Sequence, residues 1–284
     1  MSSEFRFQRA GFGQGLRWIP AGAELLSRGF RVLVGIAALW FLVSLIQIVP
    51  LIGPALLLVF TPLLTAGVLV AFHQVHTGST PTPATLFAGW VDPRRRLALI
   101  VLGMWAIVGT LAAVSIFAGW LAQQLDPAQL EAAMRSPETL AEALQGARVG
   151  PGLLGFLLVI GLVLASLYLA VPLVMFGGLA PMAALWLSLK IVLSNLTAFI
   201  GLLLTTIGLA LAMGLMLAMI ALPVSIALGT LGAVIAQALI LIAAMLFQML
   251  MAGAQYVAFR QLTGWQPPDS DDQAPSGRDD ELLA

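Results

Sequence analysis

Residues 196–222 read LTAFIGLLLTTIGLALAMGLMLAMIAL, and none of those side chains ionises near neutral pH. A helix needs about 20 apolar residues to cross a hydrocarbon core of ~30 Å, so this run is long enough by itself. It is also too continuously apolar for the in-and-out alternation of an outer-membrane strand. With no water to satisfy its backbone, such a segment must bond internally as a helix. Working outward, the same reading predicts spans at 32–49, 51–72, 97–120 and 151–176 before this run, and a sixth within 231–259 after it. The expected fold class is all-α, an integral membrane bundle of six transmembrane helices with short interfacial helices.

Composition points the same way. Hydrophobic residues make up 60% of the 284 and charged residues 9%, outside the balance of a water-soluble domain. The formal net charge is zero, so no global field draws the chain to nucleic acid. Cysteine is absent, which removes disulfides, thiol nucleophiles and thiolate metal sites. Arg6, Arg9 and Glu24 precede the first span, a pattern that does not fit a cleavable leader.

Three regions follow. Residues 1–31 form a cytoplasmic N-terminal and interfacial segment, 32–262 the six-helix domain with an extracytoplasmic loop at 121–150, and 263–284 a disordered acidic cytoplasmic tail. Pro50, Gly53 and Pro54 make a tight turn between the first two spans, while Pro62 and Pro172 should kink the second and fourth. Pro223 is expected to end the fifth span and open a hydrophobic, partly re-entrant connector. In the loop, Asp126 before Pro127 and Ser136 before Pro137 predict two short capped helices. Residues 182–195 read as a half-buried surface helix. An N-terminus in the cytoplasm keeps all of the 13 basic residues inside except Arg135 and Arg148. Trp18, Trp90, Trp120, Trp186 and Trp265 then fall near span boundaries, as interfacial anchors do. The expected location is a bacterial inner membrane, with both termini cytoplasmic. A short internal repeat also shows: Ala71, Phe72, His73 and Gln74 resemble Ala258, Phe259, Arg260 and Gln261, each run soon followed by Thr-Gly.

Few residues carry chemistry. His73 and His76 share a helical face where two imidazoles could share a metal, but no further ligand is near in sequence except Asp92, and the preferred reading is a pair of partly solvated interfacial histidines. Gly11, Gly13 and Gly15 lack the strand and the Lys-Ser or Lys-Thr of a phosphate loop. Arg94, Arg95 and Arg96 are candidates for contact with anionic lipid head groups, although fixing topology is their default role. Gly201, Thr205, Gly208 and Ala212 make a small-residue stripe suited to close helix packing. Gln237, Gln248 and Gln255 project in nearly one direction and form a polar stripe, expected to face other helices as structural glue in preference to lining a cavity. No Asp, Glu, Lys, Arg or His lies in the middle of any expected span, which argues against proton relays, voltage sensing and most ion-coupled transport. No catalytic, cofactor or metal site is assigned, and an enzyme is not expected.

Trp18-Ile19 with Gly22, Pro50-Leu51-Ile52-Gly53, Pro62 with Ala66-Gly67, Leu86-Phe87 with Gly89-Trp90, and Pro181-Met182-Ala183 with Ser188 and Asn195 form a set. In these the chain resembles a family of uncharacterised multi-pass inner-membrane proteins of proteobacteria, over residues 18 to 264. More distantly it is similar to the membrane domain of bacterial glycerophosphodiester phosphodiesterases. That resemblance carries over no catalytic residue, and no phosphodiesterase domain is present in the sequence. The expected function is lipid-interacting, scaffolding or membrane-organising. A permease or exporter of a small or apolar solute is the alternative. Membrane lipids are the expected partners, nucleic acid is not, and a protein partner or homo-oligomer stays open.

Overall fold

The computed structural model describes residues 8–50, 52–125, 131, 136, 139 and 148–266. Among them there is no strand, and the fold class is all-α. The helices are α1 (Phe12–Arg28), α2 (Phe30–Ser44), α3 (Ile52–His76), α4 (Ala88–Val91), α5 (Pro93–Ala122), α6 (Val149–Tyr168), α7 (Ala170–Met175), α8 (Pro181–Ser194) and α9 (Leu196–Thr263). Short 3-10 turns lie at Leu45–Ile48 and Pro83–Phe87. Among the described residues, five segments are long and apolar enough to cross a membrane: Phe30–Ile48, Ile52–His76, Pro93–Ala122, Val149–Met175 and Leu196–Thr263. They mark a membrane-embedded protein.

The last of these, α9, is 68 residues long and doubles back, so the expected fifth and sixth spans are its two arms. The reversal is at Gly229, whose φ of 56° and ψ of −128° are open only to glycine. This corrects the expected connector after Pro223. The chain stays helical through that proline, because in hydrocarbon a helix that forfeits one hydrogen bond is better than an irregular connector that forfeits several. Beyond the turn the arms meet closely: a Cβ at Gly232 would stand 2.2 Å from the Val224 carbonyl oxygen. Further along, Thr206 Oγ1 lies 3.7 Å from Met251 Sδ.

Two other antiparallel pairs are formed by consecutive helices. α2 turns into α3 at Pro50, where Gly53 packs on the Ile46 carbonyl. α5 pairs with α6 through Gly109 against Val163, Gly152 against Trp120, and a hydrogen bond from Trp105 Nε1 to Ser166 Oγ at 3.0 Å. Pro62 lies inside an unbroken α3. The fourth span does break, at Leu169 between α6 and α7, three residues before Pro172. α8 is half-buried as expected, hiding Ala184, Leu185, Ser188, Ile191 and Val192 while Met182 and Trp186 face outward.

Buried residues concentrate toward one end of the bundle, where α1, α3, α7, α8 and both ends of α9 meet. The middle of α9 is bare, with Leu211 and Met219 each 70% exposed. The expected caps in the loop fall largely outside the described residues, although Thr139 N does donate to Ser136 Oγ at 3.3 Å. Most of the expected tail, 267–284, lies outside them as well.

Candidate functional site

α1 decides what the buried end can do. Gly15, Trp18, Ile19, Gly22, Leu25 and Leu26 recur at helical spacing and are all buried, so one face of α1 is apolar. That face is wedged between the two ends of α9. A Cβ at Gly15 would lie 1.8 Å from the Ala198 carbonyl oxygen, and one at Gly22 would lie 2.6 Å from Ala254 N. Only hydrogen fits there. Polar bonds fix the depth of the wedge: Trp18 Nε1 donates to Gln261 Oε1 at 2.7 Å, Ala10 N to Asn195 Oδ1 at 2.7 Å, and Gln8 N to the Leu262 carbonyl at 3.0 Å.

The wedge brings Glu24 and Arg28 of α1 beside His76 of α3 and Tyr256, Arg260 and Trp265 at the end of α9. Together they surround a cavity of about 380 Å³. Arg28 is paired with Glu24 at 2.6 Å, both side chains being more than half exposed. Arg260 is in no ion pair among the described residues. Its terminal nitrogen donates to His76 Nε2, while its buried Nε has no partner among the described residues. His73 Nδ1 shares a hydrogen bond of 3.0 Å with the Tyr256 hydroxyl. Beneath them is an aromatic floor: the Trp265 ring is 4.9 Å from Phe176 and 5.3 Å from His73. Gly264, left-handed at φ 60°, turns Trp265 back onto this floor. Chemically the site presents the guanidinium groups of Arg28 and Arg260 and the Glu24 carboxylate beside aromatic rings.

His73 and His76 therefore meet an arginine and a tyrosine, and among the described residues no group of three or more His, Asp or Glu side chains is placed to hold a metal. Arg94, Arg95 and Arg96 form the exposed first turn of α5. Asp92 caps it, accepting from Arg94 N at 2.9 Å and pairing with Arg95 at 3.4 Å. Cations at a helix N-terminus oppose the helix dipole, and this carboxylate offsets them. The three amides separate. Gln255 Nε2 donates to the Tyr168 carbonyl, while Gln237 and Gln248 are exposed and hydrogen-bond to no described residue. Their difference from the expected common stripe has a physical reason: α9 packs on its neighbours mainly at its two ends.

Sequence reading missed Arg28, Tyr256 and Arg260 as a group. The signal was in the repeat, which sets His73 against Arg260. In the structure those two helix ends converge, and the equivalent glutamines each hold a neighbouring segment, Gln74 through Thr85 and Gln261 through Trp18. Ser188 stood in the set that carries the resemblance, but without a role. Its hydroxyl accepts from Leu169 N at 2.9 Å and donates to the Ala165 carbonyl at 2.8 Å, so α8 is stitched into the break between α6 and α7. No family model, curated protein or solved structure matches the chain.

Proposed function

We propose that this chain is a non-enzymatic, lipid-interacting protein of a bacterial inner membrane, which holds the phosphate of an anionic lipid in the arginine-lined mouth, with that mouth facing the cytoplasm. The observation that carries this reading is Arg260, whose buried Nε has no partner beside a cavity also lined by Arg28, His76, Tyr256 and Trp265. A guanidinium gives planar, paired donors that suit a phosphate, and a buried donor without an acceptor is costly. A lipid phosphate supplies that acceptor, and the rings around it suit the glycerol and upper acyl region. Arg94, Arg95 and Arg96 add attraction of about 1 kcal/mol each to an acidic leaflet, without geometric selection.

The test uses lipid nanodiscs that contain phosphatidylglycerol or phosphatidylcholine, with native mass spectrometry of the released protein. Wild type should retain phosphatidylglycerol preferentially. Arg260→Gln should cut that retention about tenfold, the scale of a hydrogen bond to a charged group. Replacing the three arginines of α5 by glutamine should weaken retention less and only at low salt. Equal retention of both lipids, or no change in a folded Arg260→Gln protein, would reject the reading.

A further inference from the structure

A second cavity, of about 420 Å³, lies between α3, α5 and α6 and shares no lining residue with the arginine-lined mouth. Its walls come from the middle of three spans: Thr65 in Ile52–His76, Ala106 in Pro93–Ala122 and Val163 in Val149–Met175. Close contacts on α5 explain why space remains there. Gly103 is pressed against the Val59 backbone of α3, and Gly109 against the Val163 side chain of α6. Between those two contacts α5 offers only Ala106 to the junction, and α3 offers the ring of Pro62. The volume is within the roughly 300–1,000 Å³ usual for small-molecule sites.

The lining is apolar apart from a few groups, and none of it ionises below the range of tyrosine. Thr61, like Thr205 and Thr206, returns its hydroxyl to its own helix, donating to the Leu57 carbonyl at 2.7 Å. Thr65 and Thr110 do not: their hydroxyls have no partner among the described residues. Gln255, which also lines the cavity, uses only its Nε2, leaving Oε1 as a free acceptor. Unmet hydroxyl and amide groups in hydrocarbon cost free energy, and here three of them line one space.

We infer that this cavity binds a neutral, largely hydrocarbon molecule carrying a hydroxyl or carbonyl oxygen, an alcohol-type or ketone-type lipid, with that oxygen held by Thr65, Thr110 and Gln255. The absence of any cationic or carboxylate side chain from the lining selects against a charged chain such as a fatty acid. The polar groups are mixed donors and acceptors, which suits an alcohol best.

The experiment is photolabelling of the full chain in nanodiscs with a hexadecanol analogue bearing a diazirine and a terminal alkyne, the sites being mapped by tandem mass spectrometry. The matching palmitic acid analogue is the control. The alcohol should label the middle of α3, α5 and α6, and excess hexadecanol should suppress that labelling while palmitate does not. Ala106→Phe, which fills the space, should abolish it. The near-isosteric pair Thr65→Val and Thr110→Val should reduce it about tenfold while leaving size-exclusion behaviour unchanged; this pair decides the matter if Ala106→Phe does not fold. Equal labelling by the acid, or labelling spread along the bare arms of α9 and unaffected by the threonine pair, would overturn the proposal. Retention of phosphatidylglycerol at the mouth is measured separately and is independent of either result.

Discussion

Pro172 has no N–H to offer the Tyr168 carbonyl one turn back, and the Gln255 amide from α9 makes that bond instead. One turn earlier, the Ser188 hydroxyl stands between Leu169 N and the Ala165 carbonyl, filling a place that the helix would otherwise close by itself. Both side chains thus satisfy backbone that has no water to turn to. Gln255→Leu should therefore cost about 1–3 kcal/mol, because it leaves a backbone acceptor bare. Gln248→Leu should fall within about 0.5 kcal/mol of wild type or be stabilising, since its exposed amide has nothing to lose. Pro172→Ala returns the missing donor and should suppress most of the Gln255→Leu loss, a coupling that thermal unfolding in detergent reads as a double-mutant cycle. Equal losses at positions 248 and 255 would contradict this. The helical period placed the three glutamines in one direction but carried no information about what lies opposite each. That depends on where a neighbouring helix happens to break.

Hydropathy made the helices legible because span length and apolarity are local properties of the chain. Turn positions were less so. Pro50 with Gly53 marks a real reversal, yet Pro223 lies inside helix and the chain reverses at Gly229. A proline costs a membrane helix one bond, whereas reversing requires a backbone conformation that only glycine reaches freely, and a sequence rich in glycine does not say which one takes it. The paired arms can be tested directly in a chain without native cysteine. Thr206→Cys with Met251→Cys should be joined by a short bifunctional thiol cross-linker of about 8 Å reach, longer than a disulfide spans, because the native side chains meet at 3.7 Å. Thr206→Cys with Met219→Cys should not. Cross-linking of the second pair and not the first would mean that the arms do not fold back as described. α1 illustrates the opposite limit: its apolar face was readable, its partner was not. Glycines at the contact, Gly15 and Gly22 facing Ala198, Gly253 and Ala254, leave almost no pattern for sequence reading to follow.

Across the whole molecule, Arg28, His76, Arg94 and Arg260 gather at the end where the core is densest, while Arg148 lies at the far end of α5 and α6. With the mouth facing the cytoplasm, a cysteine at Ser79 should resist an impermeant maleimide in intact cells, and one at Gln124 should react. The reverse pattern would turn the molecule over. The candidate site was the least legible part, since its members come from three helices and become neighbours only when the bundle closes. That closure sets an order on biosynthesis. α1 leaves the ribosome well before α9, yet the surfaces that bury Trp18 and Gly22 are the start and finish of α9. Until the second arm of α9 is in place, the α1 face has only half of its dock, a long-range contact that local folding cannot supply early. A chain cut short before Gly253 would therefore leave part of that face bare, with exposed apolar surface of the kind that drives misassembly.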